Sequence, residues 1–368
     1  MSEMDSVTAR QASPRPGNKP RPRWPRRAAV LAGTAVFLAA LWLVAAWRAG
    51  NFIGDRDAVA VSMGEPDIEA FSRRKKLVEV GPWRVAYIDE GRGQALILLH
   101  GCPFHSYEWR DIIPALSRHY RVIAPDLLGL GDTQVRLSDD YRLPNDERMV
   151  IGLMDVLGID TADFVGHDHG AATLQLMMRD HPERIQRAVL TNAEAYDQWP
   201  SAAERPEVEL VVSPLFGPLF RLALAFPIVR REVFSIAVHR KQAFSDEVLA
   251  AYTRALSSTP ARWQRLQRFF RWQLDPDNNM ETMRALDGLR RFRKPTLILW
   301  GKQDINFPPP IARRLAADIP GSVGIKWMEN SAHMPMQEQP RAYSEALLRF
   351  FSGSLDSGDS LDRPGGAG

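Results

Sequence analysis

Cysteine is nearly absent from this sequence: Cys102 stands alone among 368 residues. A single thiol cannot close an internal disulfide, so a disulfide framework is excluded, and one cysteine gives no metal-ligand spacing. Excess charge is lacking as well. Seven Lys/Arg within residues 1–27 against Glu3 and Asp5 place a net +5 there, which leaves −2 on the remaining chain out of a total of +3. The basic excess belongs to the leader, so no nucleic-acid partner is expected.

Long uncharged runs are scarce, and one is of membrane length. Residues 28–47 hold twenty residues without a charge, interrupted only by Gly33 and Thr34. Twenty helical residues at about 1.5 Å each span roughly 30 Å, the hydrocarbon thickness of a bilayer. Basic residues precede this run, whereas residues 48–71 hold Arg48 and Arg56 beside five acids. The positive-inside rule then predicts a single-pass cell-membrane anchor with a cytoplasmic N-terminus and an extracytoplasmic remainder. The rival is a cleaved signal peptide. Val44-Ala45-Ala46 offers a small-residue cleavage site and Arg26-Arg27 a trace of a twin-arginine signal, but an apolar run of twenty is long for one. Either reading exports the domain that follows.

Residues 1–27, rich in Pro, Arg and Ser, are expected to be disordered, as is the tail 353–368. Residues 48–76 read as a linker, and the run Arg73-Arg74-Lys75-Lys76 as a solvated approach to the first strand. Residues 77–352 alternate short apolar runs with helical patterns. Leu77–Val80 and Trp83–Asp89 suggest an antiparallel opening across Gly81-Pro82. Ala95–Leu99, Tyr120–Ala124, Ala162–Val165, Arg187–Thr191 and Thr296–Trp300 are continuously apolar, as strands buried on both faces are. Helical patterns at about 144–157, 170–181, 310–318 and 340–351 supply crossovers, giving an α/β class with a mostly parallel, doubly wound sheet. Residues 195–293 exceed any single crossover and predict a helical cap. Within them Val208–Val229 is very apolar, but Pro214, Gly217, Pro218, Arg221 and Pro227 argue for cap core and against a second span.

The chemistry gathers at three places. Strand Ala162–Val165 runs into Gly166-His167-Asp168-His169-Gly170, then Ala171, Ala172 and a helix. This is a nucleophile elbow with Asp168 in the attacking position, where flanking bulk would clash and a helix N-terminus aims N–H groups at the reacting oxygen. Alone, Asp168 reads better as a helix N-cap. Asp304, after Thr296–Trp300, and His333, on the loop before the last helix, complete the chain order nucleophile, acid, base.

With His100-Gly101-Cys102-Pro103, Ser106-Tyr107-Glu108-Trp109-Arg110 and Ala124-Pro125-Asp126-Leu127-Leu128-Gly129-Leu130-Gly131-Asp132, these residues resemble the haloalkane dehalogenase and epoxide hydrolase branch of the α/β-hydrolase superfamily over about residues 77–352. The resemblance implies a hydrolase in which Asp168 forms an alkyl ester, His333 primes the water that releases it, and Asp304 orients His333. No metal or organic cofactor is called for, and the partners are a small apolar substrate and water. Asn192 is similar to an asparagine of that group, and Glu194 is a rival acid.

There are departures. Dehalogenases usually carry Trp after the nucleophile and often Asn after His-Gly, where this chain has His169 and Cys102. The expected oxyanion and leaving-group site is therefore drawn from Cys102, His169, Trp109 and Asn192, with Trp199, Trp263 or Trp272 as other indoles. Epoxide hydrolases use two cap tyrosines, and the insertion offers Tyr196 and Tyr252, the latter in a core pattern with Leu249 and Leu256. Fluoroacetate dehalogenases carry Arg after the nucleophile, which this chain does not. His100, His105, His167, Asp126 and Asp132 read as structural. The expectations are a dehalogenase-like hydrolase, alternatively an epoxide hydrolase, alternatively a membrane-displayed domain that binds without catalysis.

Overall fold

A computed structural model describes residues 67–355 and 361–363. The expected leader 1–27, the apolar segment 28–47 and linker residues 48–66 lie outside the described residues.

The apolar runs become eight strands in one sheet: β1 (Lys76–Val80), β2 (Trp83–Glu90), β3 (Ala95–Leu99), β4 (Arg121–Pro125), β5 (Ala162–His167), β6 (Ile185–Thr191), β7 (Thr296–Gly301) and β8 (Ser322–Met328). Their order is β1-β2-β4-β3-β5-β6-β7-β8, antiparallel for β1/β2 and β2/β4 and parallel thereafter. β3, β5 and β7 are buried at every residue, the pattern of strands covered on both faces. The strand β8 has no counterpart in the sequence reading. Its Gly324, Lys326 and half-buried positions are those of an edge strand, without a continuous apolar run.

The crossovers are α1 (Ile68–Arg73), α2 (Ile113–Leu116), α3 (Leu143–Val156), α4 (His169–Asp180), α11 (Pro309–Asp318), α12 (Pro335–Glu338) and α13 (Pro340–Ser352). Six more helices lie between β6 and β7: α5 (Arg205–Val212), α6 (Gly217–Ala223), α7 (Pro227–Val233), α8 (Asp246–Ser257), α9 (Pro260–Gln273) and α10 (Met280–Leu289). Ser245 caps α8 through Val248 N–H at 3.2 Å, and Thr259 caps α9 through Arg262 N–H at 3.1 Å. Val248, Leu249, Tyr252 and Leu256 on α8 and Trp263, Leu266, Phe269 and Phe270 on α9 follow helical spacing, so one stripe of each helix is buried. Removing each such side chain from water contributes roughly 1.5–3 kcal/mol. The last helix, α10, packs on α4 and so belongs with the layer covering the sheet; the cap proper ends before it. Among the described residues no helix is long and apolar enough to cross a membrane.

Two flanking expectations change. Residues 68–73, read as linker, form α1, with Phe71 fully buried. The adjoining charge run is not all solvated: the buried Lys75 donates to Asp126 at 2.7 Å and Asp132 at 2.8 Å. Two carboxylates together supply what a cation needs to leave water. In the tail, expected to be disordered from residue 353, Asp362 exchanges backbone hydrogen bonds with Ile325 of β8. An unpaired strand edge leaves N–H and C=O groups free for such pairing.

Candidate active site

Asp168 stands between β5 and α4 at φ 52° and ψ −117°, a backbone conformation costing about 1–3 kcal/mol for a residue with a Cβ. The surroundings fix it there. Its N–H donates to the Thr191 carbonyl at 3.2 Å, while its own carbonyl accepts from Ala171 and Ala172 N–H. The glycines serve close approach: a Cβ on Gly166 would lie 2.7 Å from Ala171 Cα, and one on Gly170 would lie 2.2 Å from the Leu99 carbonyl oxygen. The Asp168 side chain makes no capping hydrogen bond to its helix. The N-cap reading therefore fails, and the carboxylate is turned to other partners.

Those partners are Cys102 and His333. Cys102 N–H donates to Asp168 Oδ1 at 2.6 Å, and His333 Nε2 lies 3.3 Å from Oδ2 as an ion-pair contact without good hydrogen-bond alignment. His333 Nδ1 is 3.0 Å from Asp304 Oδ2. Asp304 is itself held, with Asn192 Nδ2 donating to Oδ2 at 2.7 Å and Asn306 N–H to Oδ1 at 2.8 Å. His167, behind the site, bonds the His333 carbonyl through Nε2 at 2.9 Å and faces Glu108 at 3.1 Å.

Burial opposes every charge here, and the partners overcome it. Burial would lower the His333 pKa, but Asp304 and Asp168 hold it well above the usual imidazole value. Burial would raise the Asp168 carboxyl, but His333 and the Cys102 N–H leave it below its ordinary value. Both shifts favour the carboxylate and imidazolium forms of the pair.

The leaving-group residues are placed differently from the sequence reading. The His169 ring is clamped between Glu194 Oε2 at 2.7 Å and Asp146 Oδ2 at 3.3 Å, away from the cavity. Burial works against its charge, yet the two carboxylates push its pKa up to about 10. The buried Trp109 ring packs edge-on against His167 and does not line the cavity. Asn192 serves Asp304, not a leaving group. Glu194 bonds His169 and Gln273, so the acid paired with His333 is Asp304. Tyr196 and Tyr252 also turn away: Tyr196 donates to Asp318 at 3.0 Å, and Tyr252 bonds Gln337 in the core. His100 accepts from Leu127 N–H at 2.8 Å, a structural role.

Beside the pair lies a cavity that His333 lines and Asp168 does not. Cys102 and His333 reach it from below, while Phe220, Leu224, Phe234, Leu266 and Phe270 form apolar walls. Two polar groups stand among the cavity's lining residues, Trp263 and Glu204. Trp263 carries a buried indole N–H without a partner. Glu204 accepts from Ser201 N–H at 3.0 Å, and the dry wall together with the Asp168 charge pushes its carboxyl up to about 7. Trp263 was one of several indoles in the sequence; nothing local marked Glu204, since only folding brings residue 204 over residue 168.

Elbow, acid, base and helical insertion together define an α/β hydrolase. The α/β hydrolase fold family matches residues 94–336, and the chain belongs to that family. It is 26% identical over 296 residues to haloalkane dehalogenase 2 of Mycobacterium tuberculosis, covering 78% of this chain and 98% of that one. It is 27% identical over 289 residues to the soluble epoxide hydrolase of Corynebacterium sp., covering 74% and 95%. The fold also matches a haloalkane dehalogenase from Bradyrhizobium elkani at a TM-score of 0.65 and 23% identity, over 76% of this chain and 98% of that one.

Proposed function

We propose that the protein hydrolyses small or medium apolar electrophiles at saturated carbon through an ester on Asp168, in the manner of a dehalogenase. The observation that carries this reading is Asp168 itself: a carboxylate off its helix, bonded to Cys102 N–H and facing His333, and both of these partners line an apolar cavity. An Asp168 oxygen attacks carbon, a C–O bond forms, and the leaving group departs with the electron pair of its own bond. Trp263 N–H is the donor available to a departing halide.

Ester formation removes the Asp168 charge, one of the two that keep His333 protonated, and His333 can then lose its proton. Neutral His333 takes a proton from water as the oxygen attacks the ester carbonyl, and Cys102 N–H meets the resulting oxyanion. The adduct expels alkoxide, which recovers the proton from His333. The carboxylic acid left on Asp168 passes its proton to His333 and restores the ion pair. Asp304 holds the ring throughout. The domain acts outside the cytoplasmic membrane, tethered by residues 28–47.

A second reading, epoxide hydrolysis, is favoured by Glu204. A carboxyl titrating near about 7 can protonate an opening oxygen, the task two cap tyrosines would otherwise perform. Panels of haloalkanes and epoxides separate the readings by released halide or diol. The common core is tested by mass spectrometry of His333→Gln after exposure to both panels. An alkyl group retained on Asp168 supports the ester mechanism; an unmodified chain with every compound refutes it and favours a binding domain.

A further inference from the structure

The outer surface of the cap carries a cluster of exposed apolar side chains. Leu215, Phe216, Leu219, Leu222, Phe226 and Ile228 are 39% to 69% exposed and fall within fourteen consecutive residues. Single exposed apolar side chains are ordinary, but a cluster of this size marks an interaction surface. The sequence reading assigned this run to the cap core, and only part of it is there. Phe220 and Leu224 point inward and line the cavity, while Leu219 and Leu222 of the same turns point out.

We infer that residues 215–228 are a lipid-facing patch, seated at the headgroup–acyl boundary of the membrane and passing apolar substrate inward to the cavity. Three observations select lipid as the occupant. Residues 210–231 contain no acid; Arg231 pairs with Asp246, but Arg221 and Arg230 donate to main-chain carbonyls, which leaves their charges for anionic headgroups. The described chain begins on the cap side: Glu69 of α1 pairs with Arg254 of α8 at 2.8 Å, and α8 packs on α7. The apolar run 28–47 ends about twenty residues before that point, a stretch reaching at most roughly 65 Å when extended. On the proposed anchoring by residues 28–47, on which this inference also rests, the domain meets the bilayer at high effective concentration. The substrate passage rests on the hydrolase reading above; the lipid contact does not.

The test uses the full chain reconstituted in vesicles of phosphatidylcholine and phosphatidylglycerol. A Leu222→Cys variant carries an environment-sensitive fluorophore, and a Val156→Cys variant, at an exposed site on α3, serves as control; the native Cys102 is buried. The position-222 probe should shift to the blue and be quenched by brominated acyl chains, while the position-156 probe is quenched by aqueous iodide. Equal iodide quenching at both positions overturns the proposal, as does a position-222 signal that depends on protein concentration and not on lipid, which would mean a second copy covers the patch. With Leu215, Leu222, Phe226 and Ile228 all changed to Ser, KM for a bilayer-partitioned substrate should rise about tenfold, with kcat for a water-soluble one unchanged. If no substrate turns over, the hydrolase reading has failed while the quenching result still stands for the patch.

Discussion

Asn192 Nδ2 donates at 2.7 Å to the same Asp304 oxygen that faces His333 Nδ1 at 3.0 Å. Its own Oδ1 accepts from Gly301 N–H at 2.9 Å. One buried amide thus ties the end of β7 to the carboxylate that faces His333. Asn192→Ala should cost about 1–3 kcal/mol in thermal or urea unfolding, because buried partners are left unpaired. It should lower kcat more than it raises KM. Loss of stability with kcat unchanged would show that Asn192 only braces the loop.

On the proposed mechanism the relay divides into an attacking half and a releasing half. His333→Gln should slow ester release by about 10²–10⁴-fold while burst alkylation persists, a split that rapid-quench kinetics resolves. Asp304→Asn keeps the shape but loses the charge that supports the imidazolium, so it too should accumulate ester. Loss of the burst in either variant would place those residues in the attacking step.

Glu204 gives a pH signature that distinguishes the two leaving groups. Its carboxyl is pushed up to about 7, so the protonated form needed to donate to an opening oxygen disappears as pH rises through that value. Epoxide turnover should then fall above about pH 7, and Glu204→Gln should abolish that limb. Halide release needs no such proton and should keep a flat profile there. A Glu204→Gln enzyme with an unchanged epoxide profile would remove Glu204 from the reaction.

The His169 clamp is a stability device with a definite sign. The folded pKa is near 10 and the unfolded value about 6.5, so folding favours proton uptake. Its contribution is complete below about pH 6.5 and is lost as pH rises through about 10. Urea midpoints of the wild type should fall across that window, and His169→Gln should fall less, keeping only the part due to His333, whose folded pKa is also raised. Parallel alkaline declines in the two proteins would contradict the clamp.

Much of the site was legible because its parts are local. The glycines around Asp168 are spaced by the steric needs of one tight bend, Asp304 follows a strand whose apolar run stands out, and His333 stands on the loop before the last helix. The ends of the cap and the strand β8 were less legible. The helix α10 resembles its neighbours in sequence yet packs on α4, and β8 is patterned by a position at the sheet edge.

The sequence by itself determined the strand–bend–helix around Asp168, the order of acid and base along the chain, and the alternation that yields a parallel sheet, since each depends on neighbours within a few residues. Tertiary structure decided what depends on distant partners. It took His169 from the leaving-group position to a clamp with Glu194 and Asp146, drew Lys75 inward to Asp126, and set Glu204 over the cavity. It also divided one apolar run into an inner wall and an outer face. A side chain's type fixes what it can bond or bury; its charge state and direction follow from which groups folding places beside it.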